Sequence, residues 1–409
     1  MLDPLPEDSI LTYLRRISTL RLLAVGAALT LFAAATAAIA LAATSGGPTP
    51  PPKPLDEAVH DALGAPPPAG VTARVHFTDN LIGESVLEGS DPLLGGASGR
   101  LWASSDGRLR LELQADVSKS SAGDLELLVD QRHFSLYDPG TETVYEGTLP
   151  KREDASASDA GSDEPPSLAQ VREAIGQLSE HADLGGATPS DVAGRPAYTV
   201  RLSPKANGGL LGGVELAWDA ANGAPLRAAV YAKGESSPVL ELSASEISFG
   251  PVPGSVFEAS PPPGTKVVEL SAPEGAGNDS GSGEEVTGLQ AVQAKTSFEL
   301  SAPASLAGMS RNGVRLVSSG KDAGALITYG EGLGGIAVLE LPAKQGAGGE
   351  GGGEAGGLQL PSVSIEGATR AQQLETPLGT LIRFERGGVE YTVVGSVPPS
   401  VAREAAQGL

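Results

Sequence analysis

The side chains that could do chemistry in this sequence are few and scattered. Its four histidines, His60, His76, His133 and His181, lie far apart. No two have the i, i+4 spacing that sets a pair of metal ligands on one helix face. Cysteine is absent, which removes a thiol nucleophile, a Cys-based zinc site, disulfides and a lipid-modified cysteine. No G-x-S-x-G nucleophile elbow occurs. "GEGLGG" at 330–335 matches the glycine spacing of a dinucleotide loop, but "IAVLELPA" follows it. That is a strand pattern, whereas a pyrophosphate needs a helix N-terminus at that place. The segment therefore reads as a glycine-rich hairpin loop. The acidic run 153–164 lacks the Asp spacing and central Gly of a calcium loop and reads as solvated chain. These observations predict a protein that is not an enzyme and that uses no metal or cofactor.

What remains is apolar chemistry. Six side chains stand out on the apolar side of alternating strand patterns: Leu111, Leu127, Phe134, Val200, Leu216 and Trp218. Taken alone, such strand faces read as the filling of a core, since burial of apolar surface is what holds a sheet to its cover.

The elements that would hold these walls can be read from the spacing. From Val71 onward apolar residues recur at every second position. "VTARVHF" aligns Val71, Ala73, Val75 and Phe77; "RLRLELQ" aligns Leu109, Leu111 and Leu113; "DLELLVD" aligns Leu125, Leu127 and Val129. "RHFSLYD", "AYTVRLS", "VELAWD", "LRAAVYAK" and "LELSASEISF" continue the series to Phe249. Many closely spaced alternating strands predict one long antiparallel meander, apolar on one face and polar on the other. Two helices interrupt it. "LDEAVHDAL" (55–63) precedes the strands. "SLAQVREAIGQLSEHADLGG" (167–186) is inserted midway, with Ser167 as N-cap and Leu168, Val171, Ile175 and Leu178 as its apolar stripe. Both are expected to cover the apolar face.

The ends and joints of the chain are also legible. Leu22–Ala43 is uncharged and 22 residues long. As a helix it would reach ~33 Å, enough for a hydrocarbon core of ~30 Å. Arg15, Arg16 and Arg21 precede it, which places the N-terminus in the cytoplasm and the rest outside. A cleaved signal peptide, ending at Ala40–Ala42, is the other reading, and it too exports the remainder. The expected division is a cytoplasmic N-terminus (1–21), a single membrane span (22–43), a proline-rich stalk (44–54), a strand-rich domain (55–270), a linker (271–285) and a smaller α+β domain (286–409). The last contains a glycine-rich loop at 345–357, a helix near 285–298 and a closing helix in "PPSVAREAAQGL". A net charge of −22 and no basic stripe speak against nucleic acid as a partner.

Three blocks follow one another in order: "DVAGRPAYTVRL" (191–202), "VELAWDAANGAPLRAAVY" (214–231) and "EISFGPVPGSVFEASPPPGTKV" (246–267). This succession resembles the bacterial lipoprotein carriers of the LolA family and their relatives, over roughly residues 55–270. The resemblance implies a bent antiparallel half-barrel with helices on its concave face, and makes the six apolar residues candidate walls of a lipid cavity. It also implies that Phe257 is a buried plug, after which prolines end the sheet and "TKVVEL" forms an edge segment. "GVEYTVVGSVPPSVAREAA" (388–406) is similar to the C-terminal modules of membrane-anchored LolA-like proteins. RseB, a regulator of an anti-sigma factor, likewise pairs a LolA-like domain with a smaller one. Two functions are therefore implied: binding of a lipid or lipoprotein acyl chain, or an RseB-like envelope module acting on a regulatory protein. A soluble shuttle has neither an anchor nor a second domain, and in both respects this chain departs from the carriers.

Overall fold

The computed structural model describes residues 49–81, 96–115, 124–130, 132–149, 166–205, 208–258, 262–270, 286–319, 322–343, 354–355 and 358–409. The apolar run 22–43, the acidic run 153–164 and the linker 271–285 lie outside them. No helix among the described residues is long and apolar enough to cross a membrane.

The chain enters through helix α1 (Leu55–Gly64), which starts after Pro54 and stops before Pro66–Pro68. Six strands follow: β1 (Gly70–Asp79), β2 (Ala97–Ser104), β3 (Arg108–Ala115), β4 (Leu125–Asp130), β5 (His133–Asp138) and β6 (Thr143–Thr148). Helix α2 (Leu168–His181) begins with a capping box. The Ser167 N–H donates to Gln170 Oε1 at 2.8 Å, and Ser167 Oγ accepts from the Gln170 N–H. The helix ends at His181 rather than at Gly185, the stop expected from the sequence, because Ala182–Leu184 (β7) is drawn into pairing with a later strand. Then come β8 (Thr188–Val192), β9 (Arg195–Pro204), β10 (Leu211–Asp219), β11 (Pro225–Ala232), β12 (Leu240–Phe249) and β13 (Lys266–Leu270).

Among the described residues these thirteen strands form one sheet, in the order β13-β6-β5-β4-β3-β2-β1-β12-β11-β10-β9-β7, with β8 paired to β9. It is not a single meander. Two meanders, β1 to β6 and β9 to β12, are joined where β12 pairs with β1. The chain between β6 and β9 carries α2 to the far edge, so the second meander grows back toward the middle. A sheet of this size must twist and curl, and here it forms a curled half-barrel. β13 is the edge strand that the prolines before it predict, but it runs parallel to β6, the sheet's one exception to antiparallel pairing among the described residues.

Phe257 is not a buried plug. It closes a short 3₁₀ turn (Gly254–Phe257) and is half-buried, with the Arg108 guanidinium 4.8 Å from its ring centroid. Arg110 holds the same turn by donating to the Val256 carbonyl at 2.7 Å. Arg108 and Arg110 lie on the polar side of β3, so the turn is fastened there and does not reach the apolar core.

The C-terminal part opens with α3, which covers only Leu289–Gln293 of the longer helix expected there; Gly288 at φ +90° bounds it on one side. Strands β14 (Ser305–Leu306), β15 (Met309–Ser319), β16 (Asp322–Tyr329), β17 (Ile336–Pro342), β20 (Thr369–Thr376), β21 (Gly379–Arg386) and β22 (Val389–Gly395) form a second sheet in the order β14-β15-β16-β17-β22-β21-β20. β18 (Glu354–Ala355), within the segment read as a glycine-rich loop, pairs with β19 (Leu358–Gln359) just after it. "GEGLGG" joins β16 to β17 as a tight turn. Helix α4 (Pro399–Gly408) begins at a proline and buries Ala402, Ala405 and Ala406 against a core that includes Val314, Ile327, Val338, Ile382 and Val393. Small alanine side chains let this helix lie close to the sheet.

Candidate functional site

In an antiparallel pair, directly opposed residues project from the same face. The register therefore fixes which side chains of the large sheet belong together. One row runs Leu136, Leu127, Leu111, Leu101, Ala73, Ile247 across β5, β4, β3, β2, β1 and β12. A second runs Phe77, Leu242, Ala228, Leu216, Val200 across β1, β12, β11, β10 and β9. Phe134 stands two residues from Leu136 and opposite Val129. Trp218 stands two residues from Leu216 and opposite Tyr198. All six residues singled out in the sequence thus share one face.

They do not form one cluster. Leu111 and Leu127 oppose each other with Phe134 nearby, on the β3–β5 side. Val200 and Leu216 oppose each other next to Trp218, on the β9–β10 side. From β4 to β10 there are six strand steps, about 29 Å along the sheet at ~4.8 Å per step. Between the two groups lie Leu101, Ala73, Phe77, Leu242 and Ala228. Leu101 went unnoticed in the sequence because β2, "ASGRLWAS", alternates small residues with polar ones and has a single large apolar side chain on this face.

Coverage of this face is uneven. Leu127 and Val200 are buried, at 2% and 7% exposure, while Leu111, Phe134, Leu216 and Trp218 are half-buried. Helix α1 reaches the face at one end only, where Ala58 packs with Ala187 and Tyr198 and with Leu55, Trp218 and Ala220 around them. Helix α2 packs on α1 and on β7 rather than over the middle of the sheet. Of its apolar stripe only Val171 is buried, and Leu178 is 45% exposed. The helices are tied to each other by an ion pair between Arg172 Nε and Asp56 Oδ2 at 2.6 Å, and Arg172 holds the Asp56 carboxyl below its usual range. The chain before α1 is tied down as well: Tyr198 Oη donates to the Pro51 carbonyl at 2.9 Å.

The other face is charged. Arg110 pairs with Glu112 and Glu126 at 2.6 and 2.9 Å, and Arg227 pairs with Glu241 at 2.9 Å and with Glu215. Arg74 pairs with Glu246 at 3.2 Å. These pairs, cross-strand except for Arg110–Glu112 within β3, make one side of the sheet polar and leave the other as the apolar side. Among the described residues no three His, Asp or Glu side chains gather as a metal-ligand set.

No protein-family model matches the sequence, and no curated protein does. Solved structures do resemble it. The chain is similar to MucB in the MucA/MucB complex of Pseudomonas aeruginosa, at 16% identity and a TM-score of 0.40, over 86% of this chain and 94% of that one. It is similar to a conserved protein from Thermus thermophilus at 12% identity and a TM-score of 0.31, over 52% of this chain and 96% of that one. A LolA superfamily protein from Nitrosomonas europaea matches at 11% identity and a TM-score of 0.22, over 51% of this chain and 98% of that one. MucB and LolA-superfamily proteins thus stand among the solved structures this chain is similar to.

Proposed function

We propose that this protein holds the acyl chain of a lipid or lipoprotein against the apolar face of its large sheet, without catalysing a reaction. The observation that carries this reading is the half-open state of that face. Phe77, Leu242, Ala228 and Leu216 lie in register, Leu111 shares their face in the neighbouring row, and all five stay partly exposed, while α1 and α2 gather at the β9–β10 end. Apolar side chains left half-open in this way gain when a hydrocarbon is laid on them. Ten methylenes moved out of water are worth about 8 kcal/mol before the cost of ordering the chain. A face that served only as a core would be shut off along its length.

The same proposal places Leu22–Ala43 in a membrane as a single-pass anchor, with the sheets on the outer side, where lipids and lipoproteins are at hand. A dansylated long-chain fatty acid tests the binding. Its emission rises and saturates on titration with the protein, is reversed by excess palmitate, and is weakened in Leu216→Asp. An unsaturable response equal in both proteins overturns the proposal.

A further inference from the structure

The large and small sheets meet at a cleft of about 730 Å³. One wall is the side of the small sheet turned away from α4. There Leu374 of β20 opposes Leu381 of β21, which opposes Val394 of β22, which opposes Ala337 of β17. Val394 is 44% exposed and Leu333, in the glycine-rich turn beside it, is 58% exposed. Leu240 of the large sheet and Leu81, two residues past the end of β1, line the cleft from the other side. Among the described residues that line it none is charged, in a chain with 50 acidic and 28 basic residues. Its polar side chains are hydroxyls and one carboxamide. Such a lining repels nothing apolar and offers no partner to an ionic group.

The cleft is continuous with the face described above. Leu240 opposes Val230, which opposes Val214, which opposes Leu202, so these four form the row next to Leu242, Ala228, Leu216 and Val200. From Leu202 to Leu240 on the cleft wall the row is about 14 Å long, three strand steps at ~4.8 Å, and its next position is Asp79 of β1, a buried carboxylate that opposes Leu240 and accepts from the Leu81 N–H at 2.9 Å. The contact between the sheets is on that wall too. Ser396 lines the cleft, and both its carbonyl and its Oγ accept from the Leu210 N–H, at 3.1 and 2.9 Å. Ser396 Oγ also donates to the Leu378 carbonyl at 2.7 Å.

Resting on the proposed function, we infer that the cleft is a second seat for the same ligand: an acyl chain lying along the Leu202–Leu240 row continues between the sheets, against Leu381 and Val394. A ligand that touches both sheets binds their docked arrangement more tightly than a separated one. Occupancy then stabilises the Leu210–Ser396 contact, and the spacing of the two sheets reports whether a chain is bound.

A palmitate analogue with a diazirine on its chain and a terminal alkyne, photocrosslinked to the full-length protein and mapped by peptide mass spectrometry, tests this. Adducts are expected on peptides carrying Val200 or Leu216 and on peptides carrying Leu381 or Val394, both competed by palmitate. Val394→Glu, at an exposed position, should cut the cleft adducts by about tenfold or more, equivalent to about 1.4 kcal/mol, and leave those on the large sheet. Adducts on the large sheet alone overturn the second seat and leave the proposed function standing. Adducts in neither place overturn both. Adducts in the cleft alone overturn the continuous path, and cleft adducts that palmitate or Val394→Glu does not reduce mark nonspecific surface labelling, which overturns the site.

Discussion

Leu216 and Leu127 share a face but differ in how much of them water reaches, and that difference separates binding from packing. Leu127 is 2% exposed. Leu127→Ala leaves a cavity and should cost about 2–5 kcal/mol, read as a lower midpoint in urea. Leu216 is half-buried, so Leu216→Asp keeps its carboxylate within reach of water. The melting temperature should change little while fatty-acid affinity falls about tenfold or more, because an acyl chain would have to lie on a charge. A large loss of stability in Leu216→Asp would mean that the position is core. Glu340 offers a different residue-scale test. It is fully buried on β17, and its Oε2 accepts from the Ser301 N–H at 3.0 Å. Its Oε1 has no partner among the described residues, and burial raises its pKa from 4.5 to about 7. A raised value means that the folded state prefers the protonated form. The stabilising contribution is therefore complete below about 4.5 and is lost as pH rises through about 7, amounting to about 3 kcal/mol at most. Glu340→Gln should flatten the pH dependence of unfolding in that window and raise stability at pH 8. An unchanged profile would show that another group titrates there.

At the scale of elements, close approach of strands matters as much as their apolar side chains. A Cβ on Gly99 of β2 would stand 1.8 Å from the Glu112 carbonyl oxygen of β3. Gly99→Ala must push the two strands apart, and a loss of about 3 kcal/mol or more is expected in urea unfolding. A wild-type midpoint would mean that β2 and β3 are not paired as described. The same strand shows where sequence reading stops. β1, β3, β4 and β5 were legible because Val71 to Phe77, Leu109 to Leu113, Leu125 to Val129 and Phe134 to Leu136 alternate large apolar residues with polar ones, and register sets them all on one face. β2, β6 and β20 were not, because glycine, alanine and threonine fill positions where a large side chain would mark the period. The pairing of β12 with β1 joins residues more than 160 apart in sequence, and spacing within a segment holds no trace of it. Nor does it reveal that α2 packs on α1 and β7 and leaves Leu178 in solvent, since an apolar stripe says that a face is to be covered and not by what.

At the scale of the whole molecule, the proposed topology and the proposed ligand support each other: an anchor at 22–43 would hold an apolar face beside a membrane that supplies acyl chains. Protease added to intact wall-less cells should degrade everything after the anchor, and full protection would place the sheets inside the cell. The cleft between the sheets was invisible in the sequence, since Leu81, Leu240, Leu381 and Val394 come from four separate strands or turns and meet only when both sheets are in place. The claim on which the rest depends is that the large sheet holds hydrocarbon. It is tested most directly by purifying the full-length protein and Leu216→Asp side by side without added lipid, extracting each with organic solvent, and quantifying acyl chains per protein by mass spectrometry. The anchor is the same in both, so lipid held by it cancels. A higher acyl content in the wild-type protein is the predicted result; equal content in the two would contradict it.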